Sequence, residues 1–179
     1  MISIDNALKI KGYMDPPELR WLAENAKKSK CIIEIGSYYG RSTRAICDNT
    51  DGVVFSIDTY PGPILTEYGT IAISSGKYVK EQFQINLKEH IDSGRLKQFN
   101  TSFDEFLCPL RPDFIFIDGD HLYQPFYRDV QKALTFVNGN PLLISGHDYG
   151  DPCWPAVKEI VDVFFPKARV KERIWYSDE

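Results

Sequence analysis

No stretch of this 179-residue chain approaches the roughly 18 consecutive apolar residues that a membrane-spanning helix requires, and no basic segment followed by an apolar run opens it. The sequence therefore predicts a soluble, cytoplasmic protein with no membrane partner. Charge of one sign is scarce as well: 21 basic and 25 acidic residues are interspersed, for a formal net charge of -4. There is no basic stripe of the kind that phosphate neutralisation on nucleic acid demands, so nucleic acid is a poor partner. The four cysteines, Cys31, Cys47, Cys108 and Cys153, form no C-x-x-C pair and no Cys/His group at zinc spacing. They read as free thiols in a reducing compartment. Internal repeats and low-complexity tracts are missing too. What is present, 43% hydrophobic and 13% aromatic residues, suffices for a core, and one domain over 1–179 is expected.

Short β-branched or aromatic runs alternate with segments whose apolar residues recur at helical spacing, which is the pattern of a parallel sheet covered by helices on both faces. Strands are expected at 31–35, 53–57, 96–100, 113–117 and 142–145, with a last one near 170–176. Asp15-Pro16-Pro17-Glu18 has the cap, first-turn proline and capping-box acid of a helix start, and that helix should run to about Lys28. Further helices are expected from Gly40 to Cys47 and over 78–91, then after the Ser102-x-x-Glu105 box, from Pro125, and from Pro155. His90, among polar neighbours, is expected on the surface. The irregular stretch 60–76, rich in Pro, Gly, Ser and Thr, has the length of a functional lid.

The most informative segment is Glu34-Ile35-Gly36-Ser37-Tyr38-Tyr39-Gly40-Arg41-Ser42-Thr43, between the first strand and its crossover helix. Gly36 and Gly40 permit a tight turn and leave room for a ligand against bare backbone. Their G-x-x-x-G spacing is not the dinucleotide fingerprint, and Glu34 would repel a phosphate while attracting the ammonium of an amino-acid moiety. Asp58 ends the second strand where a carboxylate can accept from both hydroxyls of a ribose. A ligand with a ribose and a cationic amino-acid tail is described, and S-adenosylmethionine fits. Ser37, Tyr38 and Ser42 complete this candidate cofactor loop, and Thr101 and Ser102 after the third strand are placed to reach the adenine. An NAD-dependent oxidoreductase on the same fold lacks its glycine here. A cofactor-binding protein without catalysis stays open.

A second constellation ends the fourth and fifth strands. Asp118, Asp120 and His121 follow one, and His147-Asp148 follows its neighbour about 4.8 Å away. Asp118, His147 and Asp148 can share one divalent cation, Mg2+, Mn2+ or another that accepts mixed nitrogen and oxygen ligands. Turn formation without a metal is the alternative.

The pieces Gly12-Tyr13-Met14-Asp15, Glu18-Leu19, Trp21-Leu22, E-I-G-S-Y-Y-G-R-S-T, Phe116-Ile117-Asp118-Gly119-Asp120-His121-x-Tyr123 and Gly146-His147-Asp148-Tyr149 resemble the class I methyltransferase family called methyltransferase 24. That family is similar to macrocin-type sugar O-methyltransferases. The resemblance implies a Rossmann-like α/β fold with a seven-stranded, mostly parallel sheet and a reversed final hairpin. Residues 1–29 would form a helical segment over the site and 30–179 the core. The resemblance also implies cofactor contacts at the first strand ends and at Asp118, metal ligands at Asp118 and the 147–148 pair, and His121 as general base. Asp118 and His121 are thus the catalytic candidates. A small hydroxyl-bearing acceptor such as a sugar is implied, with specificity from 60–76, Tyr13 and Met14, and 149–154. Relatives that pair, together with aromatic segments near Trp154 and Trp175, admit a homodimer.

Overall fold

The computed structural model describes residues 1–60 and 75–179, together with the backbone of two short strands, 64–66 and 69–71. The element order is α1 (Pro16–Ala26), β1 (Cys31–Ile35), α2 (Arg41–Cys47), β2 (Val53–Ile57), β3 (Ile64–Thr66), β4 (Gly69–Ile71), α3 (Gly76–Asn86), α4 (Lys88–Asp92), β5 (Leu96–Phe99), β6 (Phe114–Ile117), α5 (Tyr123–Leu134), β7 (Leu143–Gly146), α6 (Pro155–Phe164), β8 (Arg169–Lys171) and β9 (Ile174–Asp178). Seven of these strands form one sheet in the order β5-β2-β1-β6-β7-β9-β8, with β9 antiparallel to β7. β3 and β4 pair with each other. The Rossmann-like order and the reversed final hairpin are those the resemblance implies.

The central strands have no polar face because both faces are covered. Along β6, Phe114 and Phe116 join the cluster that packs under α1, α2 and α3, with Trp21, Leu22, Ile46 and Phe83. Ile115 and Ile117 point the other way, into the cluster made with Phe126 and Val130 of α5 and Val157 and Val161 of α6. Each such fully buried side chain contributes about 1.5–3 kcal/mol by leaving water.

Register decides where chemistry can occur. Ile35 pairs with Ile57 and with Ile117, Ile57 with Phe99, and Ile117 with Gly146. The ladder then extends one residue further: the Gly36 amide donates to the Ile57 carbonyl, Asp58 to Phe99, Asp118 to Ile35 and His147 to Ile117, at 2.8–3.1 Å. Gly36, Asp58, Asp118 and His147 consequently stand side by side along one edge, the carboxyl edge where open α/β sheets bind ligands.

Several expectations need correction. The helix expected over 78–91 breaks at Leu87, whose backbone (φ -110, ψ 9) ends α3 and starts α4. The Ser102/Glu105 pair closes only a turn, in which the Glu105 amide donates to Ser102 Oγ at 3.4 Å, and Pro109 and Pro112 follow too soon for a helix. α5 starts two residues before Pro125. The expected last strand is two, turned at Glu172, which is left-handed at φ 56.

His90 is buried, with Nε2 2.7 Å from Asp48 Oδ1. Arg44 joins both Asp48 and Glu89. Burial raises the Asp48 carboxyl, but hydrogen bonds from His90, Arg44 and Asn6 outweigh it and hold the group down to about 2. Asp48, Glu89 and His90 lie close enough to share a cation, yet Arg44 already supplies the positive charge. Trp175 is fully buried against Phe165 and Phe126, so it offers no surface for a second copy of the chain. The lid expectation falls largely on residues outside those described.

Candidate active site

A cavity of about 560 Å3 opens along the carboxyl edge and is lined from both sides. Gly36, Ser37, Tyr38, Asp58, Thr101 and Ser102 line one part, and Asp118, His121, His147, Asp148, Asp151 and Trp154 another. Gly12, Tyr13 and Met14, just before α1, form a third wall. The volume lies in the range of small-molecule sites.

The turn after β1 is built around two carboxylates with different duties. Asp58 Oδ2 accepts from the Ser37 and Tyr38 amides, both at 2.9 Å, and Oδ1 accepts from the Tyr60 amide at 2.6 Å. Burial raises its pKa against those three bonds. A carboxylate offers about four lone-pair sites, so about one is left for a ligand. Asp58 therefore cannot accept the two ligand hydrogen bonds expected from sequence without giving up one of its amides. Because Asp58 also clasps two loops, Asp58→Ala should lower thermal stability as well as ligand affinity. About 3 kcal/mol of charge-assisted bonding is lost, corresponding to a Tm lower by roughly 6–12 °C in a scanning melt. An unchanged Tm would leave Asp58 as a ligand contact only.

Glu34 does not reach the cavity. It is fully buried beneath the turn, where Oε2 accepts from the hydroxyls of Ser37 and Thr43, while Oε1 has no partner. The expected contact with a ligand ammonium is therefore replaced by a structural role. Burial lifts its pKa from an ordinary 4.5 to about 7, with the Asp118 charge adding to the rise and hydroxyls of Ser42, Thr43 and Ser37 opposing it. A carboxyl raised by folding stabilises the fold fully below the ordinary pKa and loses that contribution as pH climbs through the folded value. The displacement corresponds to about 3 kcal/mol. Between pH 5 and pH 8 the Tm of Glu34→Gln should therefore gain several degrees on that of the parent. Parallel pH profiles for the two proteins would contradict the assignment.

The two glycines also differ. Gly36 (φ 81) lies against the Asp118 backbone so closely that a Cβ would stand 2.0 Å from the Asp118 carbonyl oxygen. Gly40 (φ 88) is outside the cavity wall, and a Cβ there would meet Leu87 and Phe83. It serves helix packing, not ligand approach. Ser42 does line the cavity. Three non-glycine residues adopt left-handed backbone at the cavity, Tyr38 (φ 49), Tyr60 (φ 48) and Asp148 (φ 58), at about 1–2 kcal/mol each. Such strain gathers at functional sites.

The second constellation converges as the strand register requires. His147 Nδ1 is 3.0 Å from Asp148 Oδ1 and 3.7 Å from Asp118 Oδ1. His121 Nε2 is 3.5 Å from Asp118 Oδ1 and 3.4 Å from Asp148 Oδ2, and its ring leans on Trp154 at 5.2 Å between centroids. One ligand atom from each of Asp118, His147 and Asp148 falls within 4.8 Å of the others. Burial pushes the His147 pKa down, but the Asp118 charge and hydrogen bonds donated to Asp148 and Glu18 push it up to about 10. For His121, burial likewise lowers, and Asp118 with Asp148 raises it overall.

Two residues at this centre were not found as such from sequence. Glu18 of α1 uses Oε2 to accept from the Asp15 amide at 2.7 Å, capping its own helix. Its Oε1 lies 3.0 Å from His147 Nε2 and 3.3 Å from Arg173 Nε. Arg173 also reaches Asp148 at 3.2 Å and Asp151 at 3.5 Å. Nothing local marks Arg173, which sits in the turn between two strands, and Glu18 reads only as a cap.

A family model described as a methyltransferase domain, methyltransferase 24, matches residues 33–149, from β1 to just past His147 and Asp148. The chain belongs to that family. A search of curated proteins by sequence returned no match. Solved structures share the fold. An O-methyltransferase from Bacillus cereus, in complex with S-adenosylhomocysteine, is 16% identical over 98% of this chain and 87% of its own, with a TM-score of 0.66. The S-adenosylhomocysteine-bound methyltransferase of Podospora anserina is 16% identical over 92% and 78%, with a TM-score of 0.68. An O-methyltransferase of tomaymycin synthesis from Streptomyces achromogenes, in complex with S-adenosylmethionine, is 14% identical over 93% and 78%, with a TM-score of 0.61. No helix among the described residues of this methyltransferase-family chain is long and apolar enough to cross a membrane.

Proposed function

We propose that the protein is a cytoplasmic S-adenosylmethionine-dependent O-methyltransferase acting on a small hydroxyl-bearing compound such as a sugar, with a divalent cation held by Asp118, His147 and Asp148. The observation that carries this reading is the juxtaposition in one cavity of the Gly36–Asp58 turn with the Asp118–His147–Asp148 centre. The segment 1–29 would cap the core 30–179, since Gly12, Tyr13 and Met14 line the same space.

The residues fit both groups. One lone-pair site on Asp58 is open to a nucleoside at the β2 end, and Thr101 and Ser102, whose hydroxyls already bond Glu105, line the same space at the β5 end. At the metal centre, Glu18 occupies His147 Nε2 and leaves Nδ1 facing the two carboxylates, the orientation in which a carboxylate fixes a ligating imidazole. When bound, S-adenosylmethionine supplies an electrophilic methyl on a sulfonium and the cation supplies Lewis acidity toward a hydroxyl. The chain's own work is placement: it aligns the acceptor oxygen with the methyl carbon and shields both from water, and the imidazole of His121 receives the hydroxyl proton on Nε2.

Calorimetry with S-adenosylhomocysteine against NAD tests the cofactor. A turnover screen over sugars and other hydroxyl compounds, with and without a chelator, tests the reaction. Binding of the homocysteine ligand alone and chelator-sensitive methyl transfer are expected. A second reading has its own support: Arg173 and His147 already pair with Asp148, so the acidic centre has internal counter-charge. Turnover that survives the chelator selects this metal-free methyltransferase.

A further inference from the structure

Arg41 is the one residue of the turn after β1 whose charge nothing described accounts for. Its Nη1 donates to the carbonyls of Ile10 and Gly12, both at a long 3.4 Å. Its Nε is buried without a partner, and no carboxylate among the described residues lies within ion-pair distance. Yet the side chain lines the cavity beside Ser37, Tyr38 and Ser42. Its stem is clamped there: a Cβ on Gly12 would stand 2.7 Å from Arg41 Cδ and 2.9 Å from its Cβ, so the backbone at 12 lies directly on it. An arginine fixed in a ligand cavity, with a desolvated donor and no counter-ion among the described residues, is poised for an anion.

Position says which anion. Thr101 follows β5, Asp58 follows β2 and the Gly36 turn follows β1, in that spatial order along the edge. A nucleoside with its base at β5 and its ribose at β2 extends its tail over the β1 turn, where Arg41 stands. The tail of S-adenosylmethionine carries a carboxylate as well as an ammonium, and the fully buried Glu34 can serve neither. We infer that Arg41 binds the carboxylate of the cofactor's amino-acid end, an assignment that rests on the methyltransferase reading. The same chemistry could come instead from a carboxylate or phosphate on the acceptor.

Calorimetry on the full chain separates these. The probes are S-adenosylhomocysteine and its decarboxylated analogue, S-adenosyl-3-thiopropylamine, with the parent, Arg41→Gln and Arg41→Lys. The parent should prefer the carboxylated ligand by roughly ten- to a hundredfold. Arg41→Gln should lose that preference to within about threefold while binding the decarboxylated analogue as the parent does, which also shows that it is folded. Arg41→Lys should keep part of the preference, since a point charge replaces a planar fork. Equal affinities for the two ligands in the parent overturn the inference without any variant. A full preference retained in Arg41→Gln overturns it as well. If Arg41→Gln binds both ligands like the parent but loses turnover, the anion belongs to the acceptor and the inference fails. If the parent binds neither ligand, the methyltransferase reading itself falls and takes the inference with it, a result distinct from equal binding.

Discussion

Replacing His121 with alanine should slow methyl transfer by about a hundredfold to ten-thousandfold while leaving the affinity for S-adenosylhomocysteine unchanged. Loss of a positioned general base has effects of that size. The geometry makes the separation possible: His121 faces the Asp118 and Asp148 carboxylates from the α5 side, away from the β2 and β5 ends proposed to hold the nucleoside. Its removal deletes a ring that rests on Trp154 and Phe126, so a modest drop in Tm should accompany the change. Single-turnover rates with an acceptor found in the screen, set beside calorimetry, give the answer. A loss of less than tenfold would demote His121 to a packing residue.

The second large effect concerns Asp118. Asp118→Asn keeps size and shape, and the backbone bond from residue 118 to the Ile35 carbonyl is untouched, so the fold should survive. The variant lacks one anionic oxygen opposite His147 and His121. Metal affinity should fall, and with it the rate, by about a thousandfold or more if Lewis-acid assistance is worth several kcal/mol. S-adenosylhomocysteine affinity should change at most a few-fold, because the amide oxygen still accepts hydrogen bonds. Calorimetric titration with Mn2+ reads the first effect and a progress curve the second. Undiminished Mn2+ binding would remove Asp118 from the proposed ligand set. The two variants fail differently, since the alanine variant should still bind metal.

The sheet was legible because period and composition settle it locally, and parallel pairing then settles the edge. Once β6 and β7 are neighbours in register, Asp118, His147 and Asp148 must meet, and they do. What sequence could not supply is partnership at a distance. Glu18 and His147 are 129 positions apart, and Glu18 and Arg173 155, so neither contact leaves a local trace. Glu34 illustrates the converse error. Its place before Gly36 is right for a ligand contact, but the residue is on the strand itself, and side-chain alternation turns it under the loop toward Ser37 and Thr43. Gly40 reads as a ligand-approach glycine in sequence because the helix expected over 78–91 gives no sign there that its Phe83 and Leu87 pack on the turn. His90 shows the limit of judging exposure by sequence neighbours, since its partner Asp48 belongs to another element.

Glu18 also imposes an order of assembly. Its carboxylate, 2% exposed in the folded protein, has its counter-charges on His147 and Arg173, 129 and 155 positions further along the chain. Burying it earlier would strand an unpaired charge, a penalty of several kcal/mol. Docking of α1 therefore has to wait for β7 and the β8–β9 hairpin. Pulse-labelled hydrogen exchange during refolding should show amides of α1 gaining protection after those of β1 and β6, and simultaneous protection would refute the order. Until that step the cavity lacks the wall formed by Gly12, Tyr13 and Met14. The binding site is thus completed by the docking of α1, after the sheet edge that carries its chemistry has formed.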